Sequence, residues 1–145
     1  MLLRCAQALD QALLRCAQAL DQALLLLQQS APGSVLYELY RSACVKEFEV
    51  IIELAGKLLK KALRPYYASY RQAEALVYKD IFCAAAQYGL VSTLEAERWL
   101  TYRDSRNSTA HEYGAGFAEA AVTFLPRFVT DATALAQLLH GKPID

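Results

Sequence analysis

Residues 3–13 read LRCAQALDQAL, and residues 14–24 repeat the same eleven letters without a change. A helical residue advances about 100°, so eleven of them close to within about 20° of three full turns. A duplication of this length therefore lengthens a helix while keeping its apolar face aligned. Leu9, Leu13, Cys16, Leu20, Leu24 and Leu27 follow one another at spacings of three and four and define that face. Arg4, Gln7, Asp10, Arg15, Gln18 and Asp21 take polar positions between them. The segment reads either as a projecting arm or coiled partner surface, or as a duplication that merely extends helix one. Duplication alone favours the lengthened helix, and two copies are too few for a solenoid.

The punctuation downstream is helical throughout. Ser30-Ala31-Pro32-Gly33-Ser34 stops the first helix. A second is expected from about Val35 to Leu63, ended by Arg64-Pro65 because a residue before proline avoids the α region. Pro65 to Arg71 reads as a connector, and Gln72 to Tyr88 as a third helix with Gly89 as its C-cap. Ser92 and Glu95 fit a capping box that opens a fourth helix through Trp99 toward Arg106. A fifth begins after Ser108 and ends at His140-Gly141-Lys142-Pro143, with Pro126 expected to kink or interrupt it. No segment alternates with period two. The expectation is an all-α chain: one domain over residues 1–145, an antiparallel up-and-down bundle of four or five helices.

Charge and cysteine usage exclude several classes. Fifteen Lys and Arg balance fifteen Asp and Glu, so no global field draws the chain to nucleic acid or lipid, and any phosphate recognition must be local. Cys5, Cys16, Cys44 and Cys83 show no zinc-type spacing; in apolar helical settings they read as reduced small hydrophobes of a cytoplasmic protein. Charged residues interrupt the first helix, so it reads neither as a secretory leader nor as a membrane span. There is no Gly-rich phosphate loop, no G-x-S-x-G elbow and no H-E-x-x-H pair, and a lone His111 does not make a metal site. No metal or cofactor is expected.

What remains is Arg106-Asn107-Ser108-Thr109-Ala110-His111-Glu112-Tyr113. On one unbroken helix Arg106 and His111 diverge by about 140°, while Arg106 and Tyr113 share a face. If the chain instead bends at the weak helix formers Asn107, Ser108 and Thr109, the cation and the imidazole converge. Thr109 and Glu112 would then form a second capping box, with His111 in the first turn, where the helix dipole attracts an anion. His140 reads as a helix C-terminal cation.

This stretch resembles the R-x4-H-x-Y signature of HEPN domains, specifically the HepT-like proteins also described as nucleotidyltransferase substrate-binding proteins. Phe48-Glu49, Glu53-Leu54-Ala55, Lys57 and Leu59-Lys60 are similar to the family's F-E-x-x-x-E-L-A-x-K-x-L-K helix. Lys79-Asp80 through Gly89-Leu90-Val91 resembles its third helix and following turn, and Trp99 precedes the signature as the family's tryptophan does. Gly56 departs from a position usually held by an aromatic, which suggests looser packing in helix two. Asp104 is separated from Arg106 by Ser105, and the duplication is foreign to the pattern.

The resemblance implies a helical protomer, a two-fold homodimer and metal-independent ribonuclease activity. It further implies a toxin opposed by a cognate minimal nucleotidyltransferase antitoxin, which in some systems transfers AMP to the motif tyrosine. Carried onto this chain, Arg106 and His111 are the catalytic pair, Asn107 supports them and Tyr113 is the modification acceptor. The chemistry agrees: metal-free RNA cleavage requires a base for the 2′-OH, an acid for the leaving 5′-oxygen and a cation for the phosphorane charge. One protomer has one suitable imidazole, and a two-fold axis supplies the second. Lys57, Lys60, Lys61 and Arg64 form a basic stripe at i, i+3, i+4 and i+7 that suits a phosphate backbone, or else a solvated face with a Glu53–Lys57 pair. Tyr66, Tyr67 and Tyr70 offer base-stacking surfaces or a loop packed on the bundle. The alternative function is a non-catalytic nucleotide- or substrate-binding subunit of a nucleotidyltransferase.

Overall fold

The computed structural model describes the backbone of residues 2–109 and 115–140, and the side chains of residues 11–105 and 123–140. Six α-helices make up the described chain: α1 (Leu2–Gln29), α2 (Val35–Leu63), α3 (Tyr70–Glu74), α4 (Tyr78–Gln87), α5 (Thr93–Thr109) and α6 (Ala115–His140). A single 3₁₀ turn, Arg64–Tyr66, follows α2. No strand occurs among the described residues.

The first helix belongs to the core. Leu13, Ala17, Leu20, Ala23, Leu24 and Leu27 are buried, and α1 packs on both α2 and α6. The side chains of residues 11–29 are therefore seated on the bundle and not carried on an arm. Leu13, Leu20, Leu24 and Leu27 lie where the spacing of three and four puts them, and Ala17 and Ala23 widen the stripe. Cys16 sits half-buried at its edge. At about 1.5 Å per residue α1 and α2 are each roughly 42–44 Å long, and the two pack on one another. Their turn uses Gly33 at φ +85, and Ser34 Oγ accepts from the Tyr37 N–H at 3.1 Å as the N-cap of α2.

Directions follow from side-chain neighbours. Gln11 and Leu14 of α1 face Ala136, Gln137 and His140 of α6, so these helices are antiparallel and α6 runs parallel to α2. Phe48 of α2 meets Phe124 and Phe128 of α6 edge-on at 5.5 and 4.7 Å. On the other side α4 packs between α2 and α5, with Phe82 stacked on Trp99 at 5.5 Å. Trp99, Phe48, Phe82 and Phe128 are all fully buried, one aromatic cluster drawn from four helices.

Three boundaries differ from the sequence expectation. The third helix, expected from Gln72 to Tyr88, is split into α3 and α4 by Ala75–Val77. Local propensity permits a continuous helix there; tertiary anchors override it. Glu74 is tied back to α2 by Lys60 and Arg64, whereas Tyr78 docks on α2 at Ile52, about two to three turns earlier, so one straight rod cannot satisfy both. The connector is also shorter than expected, because α3 begins at Tyr70 under a Ser69 cap that accepts from the Gln72 N–H at 3.2 Å. Pro126 does not interrupt α6, which continues through it to His140.

Other local signals appear as read. After α4, Leu90 N–H donates to the Ala85 carbonyl at 2.8 Å and Gly89 N–H to that of Ala86 at 3.2 Å, with Gly89 at φ +76. This is a Schellman stop, and glycine is what allows the left-handed residue. Ser92 and Glu95 form a reciprocal capping box at 3.1 and 3.2 Å. Cys16, Cys44 and Cys83 are unpaired; Cys44 is buried, but Cys83 is exposed and not in the apolar setting expected of it. Burial pushes the Cys44 thiol up to about 11, and burial with the neighbouring Glu47 does the same for Cys16.

The α5–α6 seam carries a buried charge. Asp131, 4% exposed, accepts Arg98 Nε at 2.8 Å, Arg98 Nη2 at 2.9 Å and the Tyr102 hydroxyl at 2.6 Å. The two parallel Arg98 bonds satisfy both carboxylate oxygens, which is what makes the burial tolerable. Hydrogen bonding to Asp131 raises the Arg98 pKa, and burial followed by the same carboxylate raises that of Tyr102. Loss of one partner from such a pair costs about 3–5 kcal/mol, and the partial solvation of Arg98 places this site at the low end. Asp131→Ala is therefore expected to lower unfolding stability by about 3 kcal/mol in denaturant titration, against under about 1 kcal/mol for exposed Asp21→Ala.

Candidate functional site

Helix α5 carries the first half of the motif, and three contacts fix where its end points. Trp99 is locked between Phe82, Tyr102 and Phe128. Tyr102 packs against Phe124 and Phe128 while its hydroxyl is held by Asp131. Arg103, on the adjoining face, lies with its guanidinium 4.8 Å above the Tyr78 ring. Arg106 and Asn107 follow one turn later on the same helix.

The helix does not bend where the weak formers suggest. Asn107, Ser108 and Thr109 remain in α5, which ends at Thr109. Thr101 and Ser105 return their hydroxyls to carbonyls one turn back, at 3.0 and 3.1 Å, so polar side chains in this helix bond within it and do not break it. Thr109 is accordingly helical and not an extended cap. The side chains of Arg106 and Asn107, and all of His111, Glu112 and Tyr113, lie outside the described residues. So does the convergence of guanidinium and imidazole.

The basic stripe on α2 is only half available. Arg64 Nη2 is 3.1 Å from both Glu74 Oε1 and the Tyr70 hydroxyl, and its guanidinium lies 4.4 Å over the Tyr70 ring. Lys60 Nζ donates to the Glu74 carbonyl at 3.4 Å and approaches its carboxylate at 3.7 Å. The hydrogen bond from Arg64 holds the Glu74 carboxyl below the usual glutamate range. Lys57 is exposed and Lys61 half-buried. Of the tyrosine run, Tyr66 stacks on Tyr88 at 4.6 Å and Tyr67 meets the same ring edge-on at 6.3 Å. Those two pack the loop onto α4, while Tyr70 stays exposed.

Gly56 does not loosen helix two. A Cβ there would stand 2.9 and 3.0 Å from the Tyr78 ring, so the ring of α4 fills the space an aromatic at position 56 would take. The Tyr78 hydroxyl donates to the Ile52 carbonyl at 3.3 Å, and its ring packs on Phe82. The sequence carried no sign of this exchange, nor of the Arg98–Asp131–Tyr102 network, because each joins residues 22 or more positions apart.

Against known proteins, residues 8–140 match the family model "Nucleotidyltransferase substrate binding protein like". The chain belongs to that family. Among its relatives is the protein named "Probable ribonuclease HepT" of Haemophilus influenzae, 27% identical over 109 residues, which span 75% of this chain and 73% of the relative. Among solved structures, HI0074 of Haemophilus influenzae has the same fold, with a TM-score of 0.76 at 24% identity over 90% of this chain and 98% of that one. That structure is described as the substrate-binding domain of a nucleotidyltransferase. No helix among the described residues is long and apolar enough to cross a membrane.

If Tyr78 stands in for an aromatic at position 56, the two positions are energetically coupled. Gly56→Ala is expected to destabilise by about 1–2 kcal/mol, since overpacking outweighs the roughly 1 kcal/mol of helix propensity gained. In a Tyr78→Ala background the same change is expected to stabilise. A double-mutant cycle by thermal unfolding reads the sign reversal, and additive effects would disprove the exchange.

Proposed function

We propose that this protein is a HEPN-type toxin, a metal-independent endoribonuclease neutralised in the cytoplasm by a cognate nucleotidyltransferase antitoxin. The observation that carries the reading is the R-x4-H-x-Y motif, at the end of an anchored α5, in a chain of the nucleotidyltransferase substrate-binding family with a relative named as a ribonuclease. In this reading His111 of one protomer takes the proton of a ribose 2′-OH. The resulting oxyanion attacks the adjacent phosphorus, and the P–O5′ bond breaks as the second protomer's His111 protonates the leaving oxygen. Arg106 offsets the charge that develops on the phosphorane oxygens, and Asn107 supports the pair. The products are a 2′,3′-cyclic phosphate and a free 5′-hydroxyl.

In its two-imidazole form this chemistry needs a homodimer. Leu25, Leu26, Val35, Leu36 and Leu39, all exposed, cluster at the α1–α2 hairpin end. Because α2 and α6 are parallel, the start of α6 lies at that same end, which supports pairing of protomers near the motif. Tyr113 is the proposed acceptor for AMP from the partner transferase. Lys57, Lys60, Lys61 and Arg64 are proposed to guide RNA toward the motif.

The test is degradation of structured and unstructured RNA in the presence of a chelator. Arg106→Ala and His111→Ala are each expected to lower the cleavage rate by about 10²–10⁴-fold, with unchanged folding by circular dichroism. Undiminished cleavage by both variants would remove these residues from the mechanism.

The second reading is a non-catalytic subunit that presents a nucleotide or Tyr113 to the transferase, and the description of the HI0074 fold favours it. Incubation with ATP and the neighbouring transferase, read by intact mass, separates the two when run beside the nuclease assay. A mass gain that Tyr113→Phe abolishes, with no intrinsic cleavage, would select the adaptor.

A further inference from the structure

Beyond the motif, one surface of the bundle sets two cations, Lys61 and Arg64, beside the exposed ring of Tyr70. The last turn of α2, the 3₁₀ turn and the start of α3 enclose an open groove of about 700 Å³, lined by Lys61, Arg64, Pro65, Tyr67, Ser69 and Tyr70. The chain as a whole is neutral, yet from Glu53 to Glu74 five cations, Lys57, Lys60, Lys61, Arg64 and Arg71, face those two acids. Two of those cations, Lys61 and Arg64, line the groove itself.

Its polar groups are unevenly used. Glu74 and the Tyr70 hydroxyl occupy Arg64 Nη2. Arg64 Nε, by contrast, is buried with no hydrogen-bond partner among the described residues. The Arg64 guanidinium as a whole lines the groove and keeps its positive charge, so an anion seated there would lie beside this cation. Lys61 makes no ion pair among the described residues and supplies a second positive charge on the same wall. Ser69 Oγ accepts from the Gln72 N–H, which leaves its own hydrogen free to donate. Tyr70 remains 61% exposed even with Arg64 over its ring.

We infer that this groove is a subsite for a nucleoside phosphate, presented by single-stranded RNA, with Lys61 and Arg64 on the phosphate and Tyr70 under the base. An acidic peptide would use the two cations but not the exposed ring, and an apolar ligand would use the ring but not the cations. The open trough suits a strand passing through. The inference rests on the RNA-cleaving reading for its choice of strand. Arg106 lies one turn past Tyr102, whose ring meets Phe124 and thereby the level of Phe48 on α2. Lys61 is then about 20 Å farther along α2, a distance that a few nucleotides bridge within the ~4–16 typical of single-strand sites.

The experiment uses the full chain carrying His111→Ala, so that binding is read without cleavage. A fluorescein-labelled eight-nucleotide oligoribonucleotide is titrated by anisotropy, and ATP and AMP by calorimetry. Lys61→Glu is expected to weaken oligoribonucleotide binding by about tenfold or more, and Tyr70→Ala by about fivefold or more. Lys46→Glu, an exposed lysine some four turns away on α2, should stay within about twofold. Lys61→Ala should reduce the logarithmic salt slope by about 0.7. Parallel losses for ATP would support the subsite with a free nucleotide as its ligand, and losses confined to the oligoribonucleotide would support it with a strand. Equal losses for Lys46→Glu and Lys61→Glu, or none for Lys61→Glu and Tyr70→Ala, would overturn it. Unchanged cleavage by Lys61→Glu and Tyr70→Ala with His111 intact would overturn the subsite and leave the nuclease reading standing alone. Groove-dependent binding without cleavage would do the reverse.

Discussion

A carboxylate buried between two helices organises this molecule. Asp131 accepts three hydrogen bonds from α5, two from Arg98 and one from Tyr102. An apolar seam would tolerate small rotations of α5 about its axis, because dispersion contacts are individually weak and non-directional. The bidentate guanidinium and the phenol do not, since their geometry is met at one rotation and one axial position. Arg103 lies against Tyr78 one residue after that clamp, and the motif begins three residues later. The direction in which α5 delivers Arg106 is thus set from its middle, by groups that take no part in the proposed chemistry.

Much of this architecture was legible in the sequence, for reasons local to it. The α1 stripe, the Ser92–Glu95 box, the Gly89 stop and the extent of α2 all depend on residues within a turn or two of one another. The split between α3 and α4 was not legible, because the competing forces act across the bundle from Lys60 and Arg64 at one end and Ile52 and Gly56 at the other. The polar run Asn107-Ser108-Thr109 misled in the opposite direction. Those residues have low intrinsic helix preference, yet α5 is so firmly anchored at Trp99 and Tyr102 that propagation carries through them. At the site, the motif residues are proposed from their letters alone, while Arg98, Asp131 and Arg103, which position their helix, had no signal of their own.

The basic stripe shows how a helical pattern overstates free charge. Four cations at helical spacing look equivalent on a wheel, but a five-residue helix folded back on them has taken two. The remaining charge is asymmetric, with Lys61 half-buried and in no ion pair among the described residues, and one nitrogen of Arg64 buried without a hydrogen-bond partner among them. Recognition by such a surface depends on geometry more than on total charge, in keeping with a chain whose net charge is zero.

The tandem copies in α1 have a consequence for how the hairpin finds its register. Residues 3–13 and 14–24 are identical, and a shift of α1 by one copy moves it about 16 Å along its axis with almost no rotation. The side chains offered to α2 and α6 would then be the same ones in the same order. Specificity for the observed alignment cannot come from the repeated residues; it must come from what flanks them, Leu27 and the Gly33–Ser34 turn above all. The connection, not the helix, measures out the length of the first strut.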